Sequence, residues 1–169
     1  MRKQTRFLVY AAIIAALYAA LTYMQNLLLP GSANMAIQFR ASEALCVLAL
    51  FTPAAIPGLT VGCLIANMLA GATALDFLIG SIASCLAATG MWLSRRLTIK
   101  GYPILAMLMP AVCNGVLIGW ELVAFAGLPG GFWINALYVA IGEVAVLLTL
   151  GTALYYAMKS RRLDLRLFG

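Results

Sequence analysis

The sequence predicts an all-α integral membrane protein with six transmembrane helices, a short second helix and both termini in the cytoplasm. Three observations support this fold class: 64% of the 169 residues are hydrophobic, 9% are charged, and the basic residues form short clusters between long apolar segments. A soluble domain carries about 25% charged residues, and its interior is too small for this much apolar surface. The composition therefore places the chain in a lipid bilayer and excludes a nucleic-acid-binding protein, a secreted disulfide-rich domain and a disordered segment.

Basic clusters set the predicted orientation. All 11 Lys and Arg residues except Arg40 fall in them. The clusters are Arg2, Lys3 and Arg6; Arg95, Arg96 and Lys100; and Lys159, Arg161, Arg162 and Arg166. Loops rich in Lys and Arg lie on the cytoplasmic side of a membrane. An even number of helices must therefore separate each cluster from the next.

The first helix is predicted at about residues 7–29. This apolar segment follows a basic start, as in a signal peptide, but it is longer than the roughly 7–15 apolar residues of one. A segment of ~20 residues or more is long enough to cross a bilayer. Because Pro30 and Gly31 end the segment, we expect an uncleaved helix with its N-terminus in the cytoplasm.

Four helices are predicted between Arg6 and Arg95, because two would leave too much apolar sequence unassigned. Residues 43–93 must then supply three helices, although a standard transmembrane helix needs ~20 residues. One of the three must be short or strongly tilted, and Pro53 and Pro57 indicate where the chain breaks. We place these helices at about residues 42–51, 53–70 and 75–93.

The last two helices are predicted at about residues 102–125 and 132–158, with a tight turn at Gly127, Pro129 and Gly130 between them. The third basic cluster follows, which returns the chain to the cytoplasmic side. Residues 1–169 are therefore predicted to form a single transmembrane domain.

Ionisable side chains inside a bilayer are costly, so each is a candidate functional residue. In the six-helix prediction, four acids lie between the outer surface and the midplane, and the cytoplasmic halves of the helices are almost purely apolar. Glu143, ~16 Å along the last helix, is the deepest of them. A polar chamber that is open to the outside and closed below is the simplest arrangement, because a through-pore needs polar groups along its whole length.

The candidate ligand-binding residues are the polar and aromatic side chains near this chamber. They are Arg40, Glu43, Asn67, Asp76, Asn114, Trp120, Glu121, Trp133, Asn135 and Glu143. One arginine cannot neutralise four acids, so at least one acid is free for a cationic ligand or for protons. Glu121 and Glu143 are the strongest candidates, because deep acids are hardest to explain as surface residues.

Structural roles are alternatives for several of these residues. Asn114 suits a hydrogen bond between helices, and Asp76 suits the N-terminus of its helix. Trp133 suits an interfacial anchor, and Trp120 either stacks on a ligand or faces lipid. An ion pair with Arg40, or a proton-relay role, is the alternative for the two deep glutamates.

Two rows of small residues run along the first helix. They are Ala11, Ala15 and Ala19, and Ala12, Ala16 and Ala20. Small residues four positions apart let another helix approach closely. The rows therefore predict either packing within the chain or a docking face for a second membrane protein.

The residue inventory argues against an enzyme. The chain has no histidine, which removes Ser-His and Cys-His nucleophile pairs and histidine metal sites. Its four cysteines stand singly in apolar segments, as packing residues do. The phosphate-binding pattern G-x-x-x-x-G-K-[ST] is missing from the sequence, so ATP-driven transport requires partner subunits. We expect no catalytic residue, metal or cofactor in this chain.

Five stretches of sequence, spread over nearly the whole chain, form a recognisable set. They are Ile37-Gln-Phe-Arg-Ala-Ser-Glu-Ala-Leu45, Gly62-Cys-Leu-Ile-Ala-Asn67, Asp76-Phe-Leu-Ile-Gly80, Gly119-Trp-Glu-Leu122 with Leu128-Pro129, and Ala140-Ile-Gly-Glu143. The set resembles the queuosine-precursor transporter family QueT, and its Gln-Phe-Arg-x-Ser-Glu string is specific. QueT proteins are similar to the substrate-binding S components of energy-coupling factor (ECF) transporters, six-helix uptake proteins of the bacterial cytoplasmic membrane.

The resemblance implies a subunit that takes up a 7-deazaguanine such as preQ1, preQ0 or queuine from outside. It also implies that the alanine face of the first helix contacts a transmembrane T component, and that two ATPase subunits complete the complex. PreQ1 has an aminomethyl cation, a guanine-like edge and a flat ring, which need a carboxylate, a second carboxylate or amide, and an aromatic face. Gln38 and Phe39 join the candidate residues on this basis.

A stand-alone proton-coupled carrier is the alternative from a different class. In that hypothesis Glu121 or Glu143 is the proton site. The apolar inner half of the predicted bundle counts against it, because a complete inward path needs polar groups there.

Overall fold

The computed structural model describes residues 3–30, 39–125 and 127–168, and the named elements in these ranges are helices. They are α1 (Lys3–Leu28), α2 (Ala41–Leu50), α3 (Ala55–Leu69), α4 (Ala74–Ser94), α5 (Ile104–Ala124), α6 (Gly131–Ser160) and α7 (Leu163–Phe168). Over the same ranges, β-structure is limited to one bridge between Ile99 and Tyr102. The prediction of an all-α protein is therefore confirmed.

Each predicted helix has a counterpart with similar ends. The largest difference is at the start of α1, which begins at Lys3 rather than at residue 7. The prediction followed hydropathy, whereas the helix continues through the polar residues that precede the apolar segment. The sequence pattern did not predict α7, a six-residue helix after the last long one.

Four helices within the described ranges are long and apolar enough to cross a membrane, namely α1, α4, α5 and α6. The chain is thus a multi-pass membrane protein. At 10 and 15 residues, α2 and α3 are shorter than the ~20 residues that a bilayer requires. The count of six crossings, the single domain and the cytoplasmic termini therefore stay predictions.

The short second helix lies at the centre of the bundle. It is wound as a 3₁₀ helix over Ala41–Leu50, which covers ~20 Å, or ~5 Å more than an α-helix of that length. Residues Ser42–Leu50 are all buried, and a helix that is apolar on every side belongs in a core. α1, α3, α4 and α6 contact it.

Glycines allow α1 and α3 to pack closely. Gly58 of α3 lies against Ala11 of α1, where a Cβ would be 2.8 Å from the Ala11 carbonyl oxygen. One turn later, Gly62 lies against Ala15 in the same way. Because both contacts advance in the same direction along the chain, α1 and α3 are parallel.

α5 and α6 approach each other with the opposite polarity. Gly115 of α5 faces Ala140 of α6, and Gly119 faces Ala136 one turn earlier on α6. These helices are therefore antiparallel.

Gly90, near the end of α4, faces Met109, near the start of α5. Arg6, near the start of α1, lies within hydrogen-bond distance of the Leu167 carbonyl, which follows α6. The starts of α1 and α5 and the ends of α4 and α6, with their basic residues, therefore lie at one end of the bundle, here called the basic end. The α3–α4 and α5–α6 turns lie at the opposite end.

Replacing Gly119 with alanine should destabilise the protein. The new Cβ would lie 2.6 Å from Cα and 2.7 Å from the backbone nitrogen of Ala136, so α6 must move. We expect a loss of ~1–3 kcal/mol, as for other overpacked cores, seen as a lower Tm in detergent. Gly90→Ala is the matched control, because its Cβ meets only the flexible Met109 side chain. Equal Tm values for the two variants would contradict this account.

Candidate ligand-binding site

A cavity of about 300 Å³ opens at the end of the bundle opposite the basic end, between α3, α4 and α5. Four predicted site residues supply its polar lining: Arg40, Asn67, Asp76 and Glu121. The rest of the lining is Ala70, Gly71, Ala72, Gly80, Ile118 and Leu122. The sequence argument did not select these small and apolar residues, which carry no chemical signal of their own.

The α3–α4 turn places Asp76 at the cavity. Gly71 has a positive φ of 69°, a left-handed conformation that glycine adopts at the end of a helix. Thr73 then caps α4: its hydroxyl accepts from the Asp76 backbone N–H, and its own N–H donates to Asp76 Oδ2 at 2.7 Å. Asp76 therefore has the helix-terminal role considered above and also lines the cavity.

Glu121 is the most deeply buried acid of the cavity wall, with 5% of its surface exposed. Its carboxyl group lies beside that of Asp76. Within the described ranges, its Oε1 atom is buried and has no hydrogen-bond partner. A buried carboxyl oxygen without a partner is costly, so a hydrogen-bond donor from a ligand would be stabilised here.

Arg40 stands between the cavity and the core. The Gln25 side chain of α1 donates to the Phe39 carbonyl and accepts from the Ala41 N–H at 2.8 Å, which fixes the backbone on both sides of Arg40. Arg40 Nη1 lies 4.0 Å from Cys63 Sγ. Its Nε is buried with no partner among the residues that the structure describes. The guanidinium therefore has donor capacity left for a ligand.

Glu43 lies at the start of α2 and is 1% exposed. The Tyr18 hydroxyl donates to one of its carboxyl oxygens, and the Cys46 thiol lies 3.1 Å from the other. Both oxygens are thus satisfied within the chain. The sequence argument missed Tyr18 and Cys46, because single polar atoms in apolar helices resemble packing residues.

Glu143 and Asn114 form a second buried pair. The Asn114 amide donates to Glu143 Oε1 at 2.6 Å, so Asn114 makes the interhelical hydrogen bond considered above. Glu143 is 4% exposed, and its Oε2 has no partner in the described parts of the chain. Neither residue lines the cavity. Asn114 lies seven residues before Glu121, or ~10 Å nearer the basic end along α5.

The remaining candidates that the structure describes lie away from the cavity lining. The Asn135 side chain donates to the carbonyls of Pro129 and Gly131 and so holds the α5–α6 turn. Trp120 is 49% exposed and Trp133 is 81% exposed, and Phe39 is also exposed. Gln38 is outside the described residues. A ligand role for each of these residues stays a prediction, as does the absence of a metal or cofactor.

The two alanine rows of α1 face different surroundings. Ala15 and Ala19 are buried, and their row packs on the glycines of α3. Ala12, Ala16 and Ala20 are exposed. The first row thus packs within the chain, and the second leaves a smooth apolar surface open.

Apolar helices that cross the membrane, together with a polar cavity at one end of their bundle, define a multi-pass membrane protein built to hold a small molecule. Residues 8–160 match the family model described as QueT transporter. The chain belongs to the QueT transporter family, which confirms the resemblance and makes it a membrane transporter rather than an enzyme. Neither a curated protein nor a solved structure matches it.

Removing the Asn114 amide should destabilise the protein even without ligand. In Asn114→Ala, the buried Glu143 carboxyl loses the amide N–H that donates to its Oε1, and we expect a loss of ~1–3 kcal/mol. Replacing both partners, as Asn114→Leu with Glu143→Met, should recover much of this, because no buried polar group is then left unpaired. Thermal unfolding in detergent tests this. A double variant less stable than Asn114→Ala would refute the pairing.

Proposed function

We propose that this chain is the substrate-binding S component of an ECF importer, and that its cavity binds a 7-deazaguanine precursor of queuosine, preQ1 in the first place. Family membership supports the transporter class. The observation that carries the substrate proposal is the buried, unpartnered Glu121 oxygen in a cavity that also contains Asp76 and Arg40.

The polar lining is complementary to preQ1. Two carboxyl groups, Asp76 and Glu121, are acceptors for its aminomethyl cation and for the amino group of its guanine-like edge, and charge-assisted hydrogen bonds of this kind are strong. Arg40 only donates, which suits the ring carbonyl oxygen. When both acids are ionised, two carboxylates and one arginine give the cavity a net negative charge, which favours a cationic ligand.

Cavity size favours the smaller precursors. A volume of about 300 Å³ is at the lower end of the roughly 300–1,000 Å³ range of small-molecule sites. PreQ1 and preQ0 are bicyclic bases with one short substituent, whereas queuine carries an additional ring. We therefore rank preQ1 and preQ0 above queuine.

The charge distribution supports uptake from outside. Basic residues collect at the end of the bundle away from the cavity, and that end is expected in the cytoplasm. With six crossings, the cavity then opens outwards in a bacterial cytoplasmic membrane. The exposed Ala12, Ala16 and Ala20 row is proposed to dock a T component, and two ATPase subunits are proposed to supply the energy.

The stand-alone proton-coupled carrier is the second candidate function. Its support is the buried Glu143 carboxyl with an unpartnered Oε2 among the described residues, a site that suits a proton. The S-component proposal is preferred because the described residues that line the cavity lie at the end of the bundle opposite the basic end, and α2, at the centre of the bundle, is buried over Ser42–Leu50.

Glu121→Gln should weaken preQ1 binding and spare preQ0 by comparison. The change keeps the side-chain shape but removes the charge that pairs with the aminomethyl cation, whereas the nitrile of preQ0 is neutral. We expect a preQ1 Kd raised roughly 10- to 100-fold, measured by calorimetry on the purified chain. Asp164→Asn, at the basic end in an ion pair with Lys159, is the matched control. An unchanged preQ1 Kd in Glu121→Gln would remove Glu121 from the site.

Ala16→Leu should separate ligand binding from assembly. A larger side chain on the exposed row blocks close helix approach while leaving the cavity intact. We expect an unchanged preQ1 Kd and loss of co-purification with the T component and ATPases. Ala153→Leu, on the exposed surface of α6, should keep both. Normal assembly of Ala16→Leu would remove the exposed alanine row as the docking face. Failure of the wild-type chain to co-purify with these subunits, together with preQ1-driven proton movement into liposomes that hold this chain alone, would favour the carrier instead.

A further inference from the structure

Asn67 is the amide of the cavity wall. It lies near the end of α3 and is 7% exposed. Its side chain makes one hydrogen bond within the described residues, from Nδ2 to Cys63 Sγ at 3.6 Å. Sulfur is a weak acceptor, so most of the hydrogen-bonding capacity of a buried amide is unused. Buried polar groups of this kind are normally hydrogen-bonded, so a ligand in the cavity is the expected partner of the Asn67 amide.

Gly80 of α4 faces this amide. A Cβ at Gly80 would lie 2.9 Å from Asn67 Nδ2 and 3.5 Å from Cys63 Sγ. Gly80 lies inside a helix, away from the positive-φ glycines of the described chain, where glycine is less stable than alanine. The backbone conformation at position 80 therefore does not require glycine. The structural reason for glycine there is the space that the Asn67 amide occupies.

The amide also differs chemically from the other polar groups of the cavity. Arg40 only donates hydrogen bonds, and ionised Asp76 and Glu121 only accept them. Asn67 can donate and accept side by side, which matches a ring edge where an N–H lies next to a carbonyl oxygen. The thiol contact of Cys63 holds Nδ2, so the amide is oriented before a ligand arrives.

We propose that Asn67 is the specificity-determining residue of the cavity, reading the lactam edge of the ligand ring, and that Gly80 is the positioning residue that leaves room for its amide. The proposal rests on the proposed function, because it takes a 7-deazaguanine as the ligand. A site that hydrogen-bonds a polar edge discriminates strongly against analogues that present a different one.

A double-mutant cycle tests the proposal. The variants are Asn67→Ala, Gly80→Ala and their combination, with Gly90→Ala on the same helix as control. The probes are preQ1 and its 6-amino counterpart, in which an amino group replaces the ring carbonyl. Kd values come from calorimetry on the full chain in detergent, and Tm is measured for each variant.

We expect each single change to raise the preQ1 Kd roughly 10- to 100-fold and to lower the selectivity over the 6-amino counterpart by a similar factor. The double variant should match Asn67→Ala, because Gly80 acts only through the amide. Gly90→Ala should match the wild type. Asn67→Asp, which keeps the volume but loses the donor, provides a second variant for the selectivity if Gly80→Ala does not fold.

If the fold-increases in preQ1 Kd of the two single variants multiply in the double variant, the role of Gly80 is overturned. Unchanged selectivity in both Asn67 variants would overturn that of Asn67. In both cases wild-type binding of preQ1 leaves the proposed function standing. A wild-type chain that binds none of preQ1, preQ0 and queuine would instead refute the proposed function, and this inference with it.

Discussion

Burial of α2 at the centre of the bundle is the constraint on which the rest of the structure depends. Since Ser42–Leu50 are all buried, the neighbouring helices must close around them. A buried helix satisfies its own backbone hydrogen bonds, as the bilayer interior requires. Its first turn carries Glu43, and Arg40 immediately precedes it. The packing that fills the core therefore also holds Arg40 in the cavity lining and Glu43 in the buried first turn of α2.

The acids of the bundle differ in how far the chain itself satisfies them. Glu43 has a donor for each carboxyl oxygen, from Tyr18 and Cys46. Glu121, at the cavity, has a buried oxygen that no described residue serves. Arg40, whose Nε is also without a described partner, lines the same cavity, whereas the unpartnered Oε2 of Glu143 lies away from it. A ligand in the cavity would therefore offset the part of the cost of unpaired polar groups that Arg40 and Glu121 carry.

Sequence reasoning succeeded where one physical signal dominates. Apolar length located the long helices, and the basic clusters identified the end of the bundle that lies away from Asp76 and Glu121. The sequence alone did not predict features that depend on how a neighbouring helix packs. Which alanine row of α1 is buried is decided by Gly58 and Gly62 of α3. The exposure of the tryptophans likewise depends on how their helices are rotated, which hydropathy alone does not fix.

Asp76 has two roles in this protein, and the combination constrains how the protein can evolve. One carboxyl group closes the capping box of α4 and forms part of the cavity wall. A helix cap contributes ~1 kcal/mol, and marginal stability makes such an amount matter. Selection for a new ligand at this position is therefore opposed by selection for a folded α4. Changes in ligand preference along a lineage should accumulate first at Asn67 and Glu121, which carry no such second duty in the structure described.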